Sequence, residues 1–314
     1  MSSQPSICLL MIVRDEAAII HRCLFSVREH IDHWLIADTG SKDATIAKIK
    51  VALKDIPGEL ISLPWSDFST VRNKLRELSR GRSDYVLWLD ADETIAFSTD
   101  QPWLNLNKSG YGVEVKTPRG SWLQWRLARD DCHYCYAGSV CEVVIGPDPI
   151  PFLGGIALTH HEDGVRWHDP AKNQRTLLAL QSAFLDAPKN PPLVLALADN
   201  YAVKGELIEA LHYYHKRASM TGDDAQTWYA LYQAARMQDE LGFGTQQVIQ
   251  AYYQAYNFRP GKIEPLMRIA TRCRREQKLE TALAIVETAL KTEQVDYNYF
   301  FEPDVFFEYS AVHF

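Results

Sequence analysis

Short apolar runs alternate with helix-spaced stretches through the first third of the chain. Ile7–Val13 is an unbroken apolar run, the pattern of a strand buried on both faces. Glu16–Arg28 follows, with Ile19, Ile20, Leu24 and Val27 on one helical face. Trp34–Asp38 and Leu60–Leu63 predict further strands, and between them Ser41 or Asp43 would cap a helix running to about Leu53. Ser69–Ser79 predicts a polar helix and Tyr85–Leu89 a fourth strand. Strand–helix repeats of this length imply a parallel sheet with right-handed crossovers. After Glu93 the pattern changes. Tyr111–Lys116 and Ser121–Asp130 alternate apolar and polar residues around Pro118-Arg119-Gly120, as in an antiparallel hairpin. Val140–Ile145 and Phe152–Thr159 predict two more strands. The expected fold is α/β with a mixed, mostly parallel sheet.

From about Asp169 the chain reads as all helix, which divides it into domains 1–168 and 169–314. The helical part repeats. Ala210 with Tyr214, Val248 with Tyr252 and Ala255, and Ala282 with Val286 and Ala289 recur at intervals of 38 and 34 residues. Small and aromatic residues at this spacing resemble tetratricopeptide (TPR) repeats, helix pairs stacked as a solenoid. The first repeat departs from the pattern, with Arg217 where a small residue is expected. A plain helical bundle is the alternative.

Composition adds limits. With 314 residues, 46% apolar and 23% charged, the chain has the make-up of an ordinary globular protein of roughly two domains. A net charge of −7 argues against a nucleic-acid coat or a polybasic membrane anchor. No apolar segment approaches the ~20 residues of a membrane span, and no secretory leader is visible. The expected location is cytoplasmic, with room for peripheral contact with the inner membrane face. Six cysteines form no secreted disulfide framework. Cys132, Cys135 and Cys141 have the spacing of part of a zinc site, and reduced thiols are the plainer reading.

The candidate chemistry gathers where strands end. Tyr85–Leu89 runs into Asp90, Asp92 and Glu93. Three carboxylates at the lip of a sheet repel one another, and a hard divalent cation, Mn²⁺ or Mg²⁺, relieves that repulsion while bridging to phosphates. Two other loops would end at the same edge: Val13-Arg14-Asp15-Glu16 and Asp38-Thr39-Gly40-Ser41-Lys42-Asp43. Gly40 permits a tight turn there, and the helix that follows would present backbone amides. Asp15 and Asp43 read equally well as helix caps.

MIVRDEA, DTGSKD, FSTVRN and WLDADE in this order resemble the family 2 glycosyltransferases, whose nucleotide-sugar domain has the GT-A fold. The resemblance covers roughly residues 6–168, and the helical tail matches a bacterial subgroup carrying such repeats. It implies that Val13 and Asp15 line a base pocket and that Asp38 contacts uracil or ribose. Arg72 and Asn73 would touch the nucleotide, although Arg72 also reads as a solvated helix charge. Asp90 and Ala91 would meet the donor, with Asp90 on ribose, and Asp92 would hold the metal. Glu93 would support the loop.

For the acceptor half, the subgroup carries an Arg-containing strand and then a Gly-x-x-His-Glu element. Here Trp125-Arg126-Leu127 and Gly138-Ser139-Val140-Cys141-Glu142 take those places, with Cys141 instead of His. Glu142 would be the general base, or a salt-bridge partner of Arg126. Asp130 and Asp131 are alternative bases. The resemblance also places a metal-shell His at the end of the last strand. Strand alternation favours His160 and leaves His161 open. Trp103, Trp122 and Trp125 read as core. The implied activity is an inverting, metal-dependent transfer of a sugar from a nucleoside diphosphate, UDP first, to a glycan, lipid-linked or protein acceptor. The helical repeats would bind a protein partner or a second copy, and nucleic acid is not expected. The competing class is a protein-binding module on a degenerate glycosyltransferase scaffold. Nucleotidyltransferases are disfavoured, because MIVRDEA lacks a glycine-rich loop.

Overall fold

The computed structural model describes residues 4–117, 120–137, 143–145, 151–164 and 171–292. The chain forms two compact units, a sheet unit ending at Lys172 and a helical unit beginning at Asn173. The boundary expected at 168/169 lies outside the described residues.

The sheet unit is built on β1 (Ile7–Val13), β2 (His33–Asp38), β3 (Gly58–Ser62) and β4 (Tyr85–Trp88). It continues with β5 (Glu93–Phe97), β6 (Gly110–Thr117), β7 (Gly120–Arg129), β8 (Cys135–Ala137), β9 (Val143–Ile145) and β10 (Phe152–His160). Eight strands form one sheet in the order β3-β2-β1-β4-β7-β6-β10-β5, while β8 and β9 pair separately. The first four are parallel, β7 runs antiparallel to β4, and β5 runs antiparallel to β10. The mixed sheet follows the sequence expectation.

The unbroken apolar character of β1 has a simple cause. Ile7, Leu9, Met11 and Val13 pack on one face with Ile20 and Leu24 of α1 (Ile20–Val27) and Ile49 of α2 (Thr45–Ala52). Cys8 and Leu10 pack on the other with Val71 and Leu75 of α3 (Phe68–Ser79) and with Trp88 and Tyr136. Both faces are covered, so no polar residue can alternate in.

The first helix begins four residues later than its pattern predicts. Asp15 takes a left-handed φ of 55°. The amides of Asp15, Glu16 and Ala17 donate to Ser41 Oγ, Thr45 Oγ1 and Asp43 Oδ2 at 3.0, 2.8 and 3.0 Å. The left-handed φ of Asp15 breaks the helical path, and the three amides are held by the facing loop instead of opening a helix. Two strands escaped the sequence pattern. β8 has only three residues, and β5 opens on a charged residue, Glu93, that is fully buried.

The helical unit contains α4 (Lys172–Asp186), α5 (Pro191–Lys204), α6 (Leu207–Ala218), α7 (Asp224–Glu240), α8 (Thr245–Phe258), α9 (Glu264–Arg275) and α10 (Leu279–Lys291). From α5 onward each helix packs on the next. The recurring residues occupy equivalent places: Ala210 and Tyr214 on α6, Val248, Tyr252 and Ala255 on α8, and Ala282, Val286 and Ala289 on α10 are all buried. This is the TPR-like pattern the sequence implies. Arg217 breaks the pattern without breaking the packing. It is fully buried and donates to Thr227 Oγ1 at 3.1 Å, Asp223 O at 3.1 Å and Gln226 Oε1 at 3.3 Å. Its guanidinium thus ties α6 to the start of α7.

Glu276 closes α9 by a similar device. It accepts from Lys278 Nζ at 2.8 Å, from Thr245 Oγ1, and from Arg272 Nε at 3.0 Å. These bonds, led by Lys278, lower its pKa to about 2. A carboxyl depressed by folding stabilises the fold above its unfolded pKa, near 4.5, and loses that contribution as pH falls toward 2. Amide protection factors in α9, taken relative to the intrinsic exchange rate at each pH, are expected to fall across that window in the wild type. The change should be weaker in Glu276→Gln. Equal acid sensitivity of the two proteins would refute the assignment.

Candidate functional site at the carboxyl edge of the sheet

Strand register brings three loops to one edge. Val13 pairs with Asp38 across β1 and β2, and Leu10 pairs with Trp88 across β1 and β4. The parallel strands therefore end together, and the segments 14–17, 39–43 and 89–93 follow from neighbouring strand ends.

The first two loops clasp each other. Asp38 is 6% exposed and turns back on its own loop, accepting from Gly40 N and Ser41 N at 3.1 Å each. Gly40 has φ 107°, a conformation that side chains other than hydrogen disfavour. Asp15 Oδ1 accepts from Lys42 N at 2.6 Å, and Asp43 Oδ1 accepts from Thr45 N at 2.9 Å. The amides expected to face a ligand from this loop are thus bonded to carboxylates of the protein. Asp43 serves the loops rather than a simple cap. Val13 is buried in the core, and its carbonyl accepts from Thr39 N at 3.0 Å.

The turn after β4 carries the charges. Arg72, on α3, donates from Nη2 to Asp90 Oδ1 at 3.0 Å, and its guanidinium lies over the rings of Trp88 and Tyr136, 5.0 and 5.4 Å from their centroids. It is a buried, aromatic-stacked ion-pair partner, so the reading of a solvated helix charge is set aside. Arg126, on β7, bonds to Glu93 Oε1, donates to Gln124 Oε1 at 3.0 Å and stands 3.6 Å from Asp90 Oδ2. Glu93 Oε2 accepts from Asp90 N at 2.9 Å, which sets the shape of the turn. Ala91 is buried inside it.

His160 closes the group. Its Nδ1 lies 3.4 Å from Glu93 Oε1 and its Nε2 3.5 Å from Asp92 Oδ2. Glu16 reaches the same place. A Cβ built on Gly164 would lie 3.4 Å from Asp92 Oδ2 and 3.4 Å from both carboxylate oxygens of Glu16. Arg22 holds this segment to α1 through Asp163, with bonds of 2.9 and 2.7 Å.

The electrostatics follow from these partners. Burial would raise the Asp90 carboxyl, but Arg72 and Arg126 hold it well below the usual carboxylate range. Burial would lower His160, but its hydrogen bond with Glu93 and the charges of Asp92, Glu93 and Asp90 hold it above the ordinary imidazole value. Burial, with the charge of Arg22 beside it, lowers His161.

Several expected residues stand elsewhere. His161 is not turned to the carboxylates: its Nε2 meets Thr94 Oγ1 at 2.8 Å, and its amide donates to Asp92 O at 2.9 Å. Successive strand residues point to opposite faces, so only His160 can join Asp92. Asn73 is engaged by β8, donating to Tyr136 O and accepting from Tyr136 N at 2.8 Å each. Its amide therefore positions a strand, in place of the nucleotide contact expected. Asp130 and Asp131 follow the end of β7, which pairs with the start of β4, so they lie at the opposite edge of the sheet from the site. Asp130 there accepts from Arg76 Nη1 at 2.9 Å and Gly81 N at 2.7 Å. Neither is placed to act as base. Glu142 and Cys141 lie outside the described residues. Cys132 and Cys135 are free thiols. Trp103 and Trp125 are core, as expected, each with its indole N–H on a backbone carbonyl. Glu16 and the role of Arg126 toward Asp90 and Glu93 were missed. The RDE run gave a weak signal for the first; nothing local could have signalled the second.

A divalent cation fits one corner of this arrangement. No group of three or more His, Cys, Asp or Glu side chains among the described residues is arranged to hold a metal alone. Asp92 Oδ2 and His160 Nε2 nevertheless stand 3.5 Å apart, a carboxylate oxygen beside an imidazole nitrogen. Cations that serve diphosphates take one or two protein ligands and complete their shell from phosphate and water.

An open α/β sheet with its polar loops gathered at the carboxyl edge is the arrangement at which such folds bind ligands. Residues 8–127 match the model of Glycosyl transferase family 2. A TPR repeat-containing protein of Synechococcus elongatus, Synpcc7942_0270, is 40% identical over 94 residues, covering 30% of this chain and 21% of that protein. The SPbeta prophage-derived glycosyltransferase SunS of Bacillus subtilis is 34% identical over 92 residues, covering 29% and 21%. The chain thus spans about a fifth of the length of these curated relatives. Among solved structures, one of MamA is 20% identical with a TM-score of 0.34, covering 39% of this chain and 68% of that one. No described helix is long and apolar enough to cross a membrane.

Proposed function

We propose that the protein is an inverting glycosyltransferase that moves a sugar from a nucleoside diphosphate, UDP first, to a hydroxyl or comparable nucleophile of a glycan, lipid-linked or protein acceptor. The observation that carries this reading is the convergence of Asp92 and His160 beside the anchored turn of Asp90, at the edge where the Asp15 and Asp38 loops also end. The family 2 match over residues 8–127 supports it.

Asp92 and His160 would hold Mn²⁺ or Mg²⁺, which when bound neutralises the donor diphosphate and stabilises its departure. Asp90, fixed by Arg72 and Arg126, keeps an ionised carboxylate for the donor ribose. The acceptor oxygen attacks the anomeric carbon, the bond from that carbon to the phosphate oxygen breaks, and the electron pair leaves with the nucleoside diphosphate. Glu142 takes the acceptor proton. A single displacement of this kind inverts the anomeric centre. The helical repeats would present a surface to a protein partner, a large acceptor or a second copy.

Thermal stability tests the reading before any acceptor is known. UDP with Mn²⁺ is expected to raise the melting temperature, as ligand linkage requires, and a panel of UDP-sugars should reveal one that is slowly hydrolysed. No shift and no hydrolysis with any nucleotide sugar would favour the alternative, a protein-binding module on a degenerate scaffold.

A further inference from the structure

We infer that Glu93 is a positioning residue that fixes His160 in the Nδ1–H tautomer and so aims its Nε2 lone pair at the cation position beside Asp92. The inference rests on the reading of Asp92 and His160 as cation ligands.

Glu93 cannot touch substrate, because it is fully buried. It is joined to His160 by the sheet itself: Glu93 and His160 are direct partners across the antiparallel pair of β5 and β10. Side chains of such a pair leave the same face, close enough to interact. An ionised carboxylate only accepts hydrogen bonds. Arg126 supplies its counter-charge by bonding to the oxygen that faces His160, and Asp90 N–H occupies the other oxygen at 2.9 Å. The Nδ1···Oε1 contact of 3.4 Å is therefore made by an Nδ1–H donor. A ring that holds a cation is neutral and carries one hydrogen, so with Nδ1–H on Glu93 the Nε2 atom presents its lone pair to that cation. That lone pair faces Asp92 Oδ2 at 3.5 Å. A carboxylate that orients a histidine also raises its basicity as a ligand, and losing such a partner weakens metal affinity by roughly 10–100-fold.

The test measures Mn²⁺ affinity of the full chain in the presence of UDP, by electron paramagnetic resonance, for Glu93→Gln, His160→Ala and the double variant. Glu93→Gln is expected to bind Mn²⁺ about 10–100-fold more weakly. The double variant should bind no more weakly than His160→Ala, because Glu93 acts through His160. Additive losses, or wild-type affinity in Glu93→Gln, overturn the inference while leaving the cation site intact. If Glu93→Gln does not fold, ¹⁵N shifts of the His160 ring in the wild type with Mg²⁺ and UDP decide it. Nδ1 protonated and Nε2 bare support the inference; the reverse tautomer overturns it. A wild type that takes up no Mn²⁺ with UDP overturns the cation-site reading, and this inference with it.

Discussion

Asp92→Ala is expected to lower donor hydrolysis and sugar transfer on the order of 10²–10³-fold, the cost of losing one preorganised partner of a developing charge. Its carboxylate stands with His160 Nε2 at the edge where the parallel strands end. The alanine protein should fold normally, because the turn keeps its other anchors: Asp90 N–H bonds to Glu93, and Arg72 and Arg126 flank Asp90. The stabilisation by UDP should lose its dependence on Mn²⁺, while any stabilisation by UDP alone persists. Full activity in Asp92→Ala, or a Mn²⁺ response unchanged from wild type, would remove Asp92 from the reaction.

Arg126→Ala should act through stability first. Arg126 is 4% exposed and Glu93 fully buried, so the substitution leaves a buried carboxylate without its guanidinium, which costs roughly 3–5 kcal/mol. The double variant Arg126→Met, Glu93→Leu removes both charges and should recover much of that loss, as apolar replacements of buried ion pairs often do. It should nevertheless be a poor enzyme, because Asp90 and His160 lose the groups that set their positions. Urea unfolding of the three proteins beside UDP-dependent Mn²⁺ binding separates the two effects. A double variant as unstable as Arg126→Ala would show that the pair itself holds this part of the fold together.

Much of the fold was legible because its signals are local. An apolar run in β1 and the helical spacing of Ile20, Leu24 and Val27 in α1 each report burial within a few residues, and the strand–helix alternation then limits the topology. The repeats were legible for a similar reason: Tyr214 and Tyr252 recur at one interval because each packs within its own helix pair. The start of α1 was misread because Asp15 takes a left-handed φ, in a segment whose amides are held by side chains 26 to 29 residues away. No periodicity within the segment carries that fact. The site divides in the same way. Asp90 and Asp92 were visible at a strand end and alternation favoured His160, whereas the pairing of His160 with Glu93 needed the observed register of β10.

The sequence by itself determined the two-part organisation, the parallel start of the sheet, the helical repeats and the carboxylate cluster at the end of β4. Each depends on residue type and short-range spacing. Only the tertiary structure decided which charges are partners. Arg126 meets Glu93 across 33 positions, and His160 meets the same carboxylate across 67. It also moved Asp130 and Asp131 to the far edge of the sheet through the pairing of β7 with β4. Periodicity fixes the face on which a side chain lies; the register between distant strands fixes what it meets, because buried charges are stable only where a partner from another strand is brought to them.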